Sequence, residues 1–204
     1  MSLYSKYILS KLINAGCGSK PIQKQREKVL PLCSGTVLEV GSGSGLNFSF
    51  YDATSVSKIY ALEPDQEMLR QARIEANSLN LDIVFLESGA ESIPLEDNCI
   101  DSVLLTYTLC SIPNPDLALK EMRRVLKENG KLIFCEHGIA PDKHIKKLQN
   151  VMNYFYPYFA GGCNLNRDIP DLLWRNGFHF TKVETMYLPG TPKWSGFNYW
   201  GVAT

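Results

Sequence analysis

The chain lacks an excess of charge, a long apolar run and any closely spaced cysteine pair. Its 204 residues carry 21 basic and 21 acidic side chains. No basic run stands out, so nothing in the charge favours the phosphate backbone of a nucleic acid. No stretch approaches the ~20 apolar residues of a membrane span, and no integral membrane segment is expected. Lys6 and Lys11 interrupt the apolar residues near the N-terminus, which departs from a secretory signal pattern. A cytoplasmic location is the resulting expectation. The six cysteines (Cys17, Cys33, Cys99, Cys110, Cys135 and Cys163) include no C-x-x-C pair, and His137, His144 and His179 show no zinc-ligand spacing. No metal site is therefore expected, and Cys99, Cys110 and Cys135, in apolar runs, read as reduced, buried thiols. There is no internal repeat, low-complexity segment or linker, and the length is that of one domain.

What the chain does have is an alternation of strand and helix signals. Ile8, Leu9, Leu12 and Ile13 predict an amphipathic helix over 4–14, and a second short helix follows over about 21–31. Strands are predicted at about 36–41, 58–63, 82–87, 100–107 and 131–136. Pro64-Asp65 opens a helix with an acidic first turn, as the helix dipole favours. Asn114 caps another helix with Pro115 in its first turn, and Gly130 is read as its stop. Helices are expected over about 142–158 and 168–176, then antiparallel strands at about 178–187 and 197–203 around a Pro189-Gly190 turn. This order predicts an α/β fold: a Rossmann-like doubly wound sheet, mostly parallel with an antiparallel C-terminal strand, and helices on both faces. Right-handed crossovers align the carboxyl ends of the first five strands along one rim, where ligands bind.

Chemistry-bearing residues fall on that rim. The first strand runs through Glu39 into Gly41-Ser42-Gly43-Ser44-Gly45, a G-x-G-x-G loop; the third glycine of the dinucleotide fingerprint G-x-G-x-x-G is replaced by Leu46. Such a loop suits a small nucleoside cofactor better than a pyrophosphate. Glu63 ends the second strand, where a carboxylate can accept both hydroxyl protons of a ribose. Ser88-Gly89-Ala90-Glu91 follows the third strand, and Thr106-Tyr107 ends the fourth. Asp101, at the start of the fourth strand, reads as structural. His137 closes the fifth strand beside Glu136; its pKa near neutrality makes it the candidate base. Cys110 reads as core.

Glu39 with Gly41, Gly43 and Gly45, then Glu63-Pro64-Asp65, Gly89-Ala90-Glu91 and the Asn114–Gly130 helix running into Lys131-Leu132-Ile133-Phe134, stand in one order. That order resembles the class I S-adenosylmethionine (SAM) dependent methyltransferases, in particular the small-molecule group that includes quinone-biosynthesis, phospholipid-amine and alkyl-thiol methyltransferases. The resemblance covers roughly 35–140 and departs at Gly89, where an acid is usual before the alanine. It implies S-adenosyl-L-methionine as cofactor and S-adenosyl-L-homocysteine as product. It also implies a cofactor site made of Glu39, Gly41, Ser42, Gly43, Gly45, Glu63, Pro64, Met68, Gly89, Ala90, Glu91 and Thr106. His137 and Tyr107 are then the catalytic candidates. The chain would divide into an N-terminal helical lid (1–34), a SAM-binding core (35–140) and a segment of substrate-proximal helices and antiparallel strands (141–204).

The expected partner is a small, lipophilic molecule with a sulfur, oxygen or nitrogen nucleophile. Residues 151–204 hold 13 of the 22 aromatic side chains, and Tyr154, Phe155, Tyr158 and Phe159 either line a pocket or pack as core. The fourth strand ends Thr106-Tyr107-Thr108-Leu109, without the Asn/Asp-Pro-Pro-Tyr signature of base-amino methyltransferases, which argues against DNA or RNA as substrate. Two other readings stay open: a non-catalytic SAM-binding or regulatory protein, and a nicotinamide-dependent oxidoreductase.

Overall fold

A computed structural model describes residues 16–204; the predicted helix over 4–14 lies outside them. The chain enters through α1 (Lys20–Val29), then alternates: β1 (Gly35–Val40), β2 (Val56–Leu62), α2 (Gln66–Ala76), β3 (Ile83–Leu86), β4 (Ile100–Thr106), α3 (Pro115–Val125) and β5 (Leu126–His137). The remainder holds α4 (Lys143–Met152), one turn α5 (Tyr156–Phe159), α6 (Ile169–Arg175), β6 (Phe180–Tyr187), one turn α7 (Lys193–Gly196) and β7 (Phe197–Ala203). Helix starts follow local chemistry. Asp65 accepts from the backbone N–H groups of Glu67 and Met68 at α2, Asn114 from that of Leu117 at α3, and Asp168 from that of Asp171 at α6.

The seven strands form one sheet in the order β3-β2-β1-β4-β5-β7-β6. The first five are parallel, and β7 runs antiparallel to both β5 and β6. The side chains of β1 and β4 alternate between two cores. Leu38, Val40, Val103 and Leu105 pack with Leu119 and Met122 of α3 and Leu172 and Leu173 of α6. Val37 and Leu104 pack on the opposite face with Val29 of α1 and Ala72 of α2. Helices therefore cover both faces, as the sequence predicts. The edge strand β6 is exposed along its middle and carries Lys182 and Glu184, charges that blunt an open edge.

One boundary departs from expectation. α3 stops at Val125 rather than Gly130, because Leu126 turns extended to pair with Ile100. The next register pair is Ser102 with Lys131, so Lys127–Gly130 bulges out of the ladder. Long-range strand pairing overrides the local helical preference of Lys127 and Glu128. Among the described residues no helix is long and apolar enough to cross a membrane.

Candidate active site

Strand order reverses between β1 and β4, and the loops leaving these two strands meet at the rim. Gly41, Gly43 and Gly45 all have positive φ (69°, 55° and 86°), and the three do different things. A Cβ on Gly41 would lie 2.3 Å from the Thr108 side chain, and one on Gly45 would lie 2.7 Å from the Phe48 ring. These two glycines let the loop pack. A Cβ on Gly43 would meet nothing within 4 Å, so the backbone there faces open space. The Gly43 N–H donates to Glu63 Oε2 at 3.0 Å, and Glu63 Oε1 accepts from the Asp65 N–H at 3.0 Å. Partial burial raises the Glu63 carboxyl above its ordinary range.

Behind the loop, Glu39 is enclosed rather than presented at the surface. Its Oε1 accepts from Asn47 Nδ2 at 2.9 Å and its Oε2 from the Tyr51 hydroxyl at 2.7 Å. Asn47 Nδ2 also donates to Thr106 Oγ1 (2.8 Å), and Asn47 Oδ1 accepts from the buried Arg26 at 2.7 Å. Burial pushes the Glu39 carboxyl up to about 7. Sequence reasoning found Glu39 and Thr106 but missed Arg26, Asn47 and Tyr51. Arg26 precedes the glycine loop and Asn47 and Tyr51 follow it at a spacing that carries no signature; only the fold shows that Asn47 and Tyr51 close on one carboxylate, with Arg26 held behind Asn47.

Met68 is buried in the first turn of α2, and Pro64 before it is exposed. Ala90 packs in the core under α3. Glu91 Oε1 accepts from the Asn114 N–H at 3.0 Å, and a Cβ on Gly89 would meet Glu91 Oε2 at 3.0 Å. The loop after β3 is thus braced against the start of α3. Asp101 is structural: it accepts from the Thr36 N–H (2.9 Å) and from Lys127 Nζ (2.7 Å).

Tyr107, one residue past β4, holds a left-handed conformation (φ 54°), a strained geometry for an aromatic residue. Its hydroxyl donates to Asn198 Oδ1 of β7 at 2.9 Å. Burial keeps the phenol well above its usual range, so it stays protonated. Glu136 Oε1 accepts from the Thr108 and Leu109 N–H groups (2.8 and 3.0 Å), tying the end of β5 to the loop after β4. Its burial lifts the carboxyl to about 7.

His137 lies beside two cysteines. Its Nε2 is 3.0 Å from Cys163 Sγ, and its Nδ1 is buried with no hydrogen-bond partner among the described residues. Cys110 is in side-chain contact with Cys163; that contact and burial hold its thiol well above the ordinary range. The juxtaposition is built by a tight turn at Gly161 and Gly162 (φ 61° and 83°). Beyond it, the Asn164 N–H and Nδ2 both donate to the Cys110 carbonyl (2.9 and 3.0 Å). Sequence spacing shows no metal set, yet Cys110, His137 and Cys163 bring donor atoms within 4.8 Å of one another. These three line a cavity of about 540 Å³ together with Tyr107, Ile22, Tyr156, Phe159, Leu165 and Leu188. The helices expected over about 142–158 form as α4 and the single turn α5, with a break between them. α4 ends at Met152, and Tyr154, Phe155, Tyr158 and Phe159 are 76%, 68%, 80% and 66% exposed. They are neither core nor an enclosed pocket; of the four, Phe159 alone borders the cavity.

The glycine loop over a carboxylate, at the switch point of a doubly wound sheet with an antiparallel β7, defines a nucleoside-cofactor fold. A family described as methyltransferase domain matches residues 38–134. The thiol S-methyltransferase TMT1B of Rattus norvegicus is 30% identical over 165 residues, covering 78% of this chain and 65% of its own length. The Homo sapiens TMT1B is 28% identical, covering 94% and 81%. The ubiquinone/menaquinone biosynthesis C-methyltransferase UbiE of Rickettsia bellii is 30% identical, covering 64% of this chain and 53% of its own. A SAM-dependent methyltransferase from Aquifex aeolicus shares the fold with a TM-score of 0.65 at 21% identity, covering 96% and 95% of the two chains. Together these matches support a class I SAM-dependent methyltransferase, a family and fold that imply SAM as the cofactor.

The residues present fit that cofactor. Gly43 leaves its outer side open, Glu63 supplies a carboxylate at the end of β2, and Ser42 Oγ is buried with no hydrogen-bond partner among the described residues.

Proposed function

We propose that the protein methylates a small, lipophilic acceptor, a thiol in the first place, drawn from the cavity beside the β4 and β5 ends. One observation carries this reading: a largely apolar cavity of about 540 Å³ reaches the rim through Tyr107, the residue that follows β4. The thiol S-methyltransferases among the relatives support sulfur as the acceptor atom. Bound SAM supplies a methyl group on a sulfonium that leaves readily, so the protein's main task is alignment.

In this reading Glu63 accepts from the ribose hydroxyls, while Gly41, Ser42, Gly43 and Gly45 provide backbone and hydroxyl contacts along the methionine half. Glu39 acts from behind, fixing Asn47 and through it Thr106, and so sets the shape of the site for the amino-acid end. Pro64 and Met68 at the start of α2, with Gly89, Ala90 and Glu91, form the adenine side. Tyr107, protonated and anchored on Asn198, is a wall between cofactor and acceptor rather than a base. His137 is the ring that meets the acceptor's polar head. Residues 141–204 close the acceptor side, and the cavity's outer wall includes Gly16, Cys17, Ser19 and Ile22, consistent with an N-terminal lid.

The test is S-adenosylhomocysteine production from SAM with alkyl and aryl thiols, quinols, phenols and lipid amines supplied in parallel. Turnover confined to thiols is the expected result. Turnover confined to another class removes the sulfur assignment. SAM binding without turnover on any of them favours the regulatory reading.

A further inference from the structure

Cys110, His137 and Cys163 come from three separate segments and meet on one wall of the cavity. Each is fixed by its own backbone: Cys110 by the loop that Glu136 ties down, His137 by the last pair of the β5–β7 ladder, Cys163 by the Gly161-Gly162 turn. Tetrahedral zinc, with bonds of about 2.3 Å to sulfur and 2.0 Å to nitrogen, sets its ligand atoms roughly 3.4–3.8 Å apart. The observed 3.0 Å between His137 Nε2 and Cys163 Sγ, within a cluster spanning at most 4.8 Å, is close to that arrangement. Two thiolates and an imidazole are soft to borderline donors, which select zinc over magnesium or calcium. A structural zinc site is closed by four protein ligands, whereas three ligands facing a cavity leave one position open.

We propose that Cys110, His137 and Cys163 form a three-ligand site for a thiophilic divalent cation, Zn²⁺ foremost, whose open fourth position takes the sulfur of the acceptor. Cation binding is independent of the acceptor; the sulfur assignment rests on the thiol reading above. The ion releases the protons of Cys110 and Cys163 to solvent when it binds. It then lowers the pKa of an incoming thiol, whose proton also passes to solvent. The acceptor sulfur forms a bond to the methyl carbon as the carbon–sulfonium bond breaks, leaving S-adenosylhomocysteine and a neutral thioether. The thioether is a weak ligand and departs, and the ion keeps its oxidation state throughout. His137 is here a ligand through Nε2, in place of the general base expected from sequence.

The experiment uses the full chain, reduced and stripped with a chelator, titrated with Zn²⁺ and then, separately, with Co²⁺. One equivalent of Zn²⁺ is expected to remain through gel filtration, and Co²⁺ is expected to show thiolate charge-transfer absorption that shifts with thiophenol but not with phenol. Cys163→Ala, on a half-buried loop, should weaken Zn²⁺ at least 100-fold while circular dichroism and SAM-induced thermal shift remain as in the parent. Cys17→Ala, on the cavity wall but outside the cluster, should keep full stoichiometry. Absence of the Co²⁺ thiolate band, or equal Zn²⁺ affinity in Cys163→Ala, overturns the site. A thiol-responsive Co²⁺ spectrum without methylation leaves the site standing and removes the thiol-transfer reading. Full thiol methylation by the metal-stripped chain keeps the thiol reading and overturns the claim that the cation's open position takes the acceptor sulfur.

Discussion

On the β1–β4 side of the rim, polar groups close on one another within a short stretch of chain. Glu39, Asn47, Tyr51 and Thr106 share donors and acceptors, Glu63 ties down the glycine loop through the Gly43 N–H, and apart from Thr106 these residues lie within 25 residues of sequence. On the β5–β7 side the wall is apolar, and its few reactive groups come from residues as far apart as Cys17 and Cys163. The first side suits one invariant ligand whose charges and hydroxyls must each be met. The second suits ligands that share bulk and one soft atom. A buried polar network is costly to alter, because any member left without a partner carries its desolvation penalty. An apolar cavity tolerates exchange of side chains of similar volume. On the proposed function, the molecule therefore divides into a fixed cofactor half and a variable acceptor half.

The sharpest way to break this division is at Gly43. A Cβ there meets no protein atom within 4 Å, so valine costs the fold backbone strain at φ 55° rather than a clash, and its branched side chain projects into the open side of the loop. Calorimetry should show SAM affinity falling about 100-fold or more, with the acceptor cavity unchanged. Unaltered affinity removes the loop from the cofactor half. Next in size is His137→Ala, which should lower kcat about 10- to 100-fold while SAM affinity stays as in the parent. Equal loss of SAM binding would join the two halves into one site. A milder probe is Ala160→Trp, which fills the cavity from its wall. We expect kcat/KM for bulky aryl thiols to drop about tenfold while small alkyl thiols are turned over as before; a uniform effect on both would place the acceptor elsewhere.

The same division governs what the amino-acid sequence discloses. The fold is legible because periodicity and caps are local: Asp65, Asn114-Pro115 and the apolar run of β4 lie where the pattern puts them. The glycine loop and Glu63 are legible because a strand end fixes both. The α3 end is not, since Leu126 answers to Ile100 across the sheet. Neither is the Cys110–His137–Cys163 cluster, because spacing rules capture only ligands on one element or hairpin, and these three meet through tertiary packing. The exposure of Tyr154, Phe155 and Tyr158 is equally invisible, since their spacing is the same on a packed helix as on the turn where they lie.

The smallest expected effect tests whether the cofactor half stays intact in its own network as pH changes. Glu39 is fully enclosed, and burial lifts its carboxyl from an ordinary value of 4.5 to about 7. Between those two pH values the folded chain holds a proton that the unfolded chain has released. Stability attributable to this group is therefore complete below pH 4.5, falls as pH rises toward 7, and reaches its minimum above it. Replacing Glu39 by Gln removes the titration and keeps the shape: the amide oxygen still accepts from Asn47, and the Tyr51 hydroxyl can turn to accept from the amide nitrogen. Thermal unfolding followed from pH 5 to pH 8 should show the parent losing more stability than the variant, a difference of a few degrees, given about 2–4 °C per kcal/mol at this size. Parallel curves would mean that Arg26, joined to Glu39 through Asn47, holds the carboxylate ionised throughout. The cofactor half would then rest on a buried charge pair rather than on a neutral network.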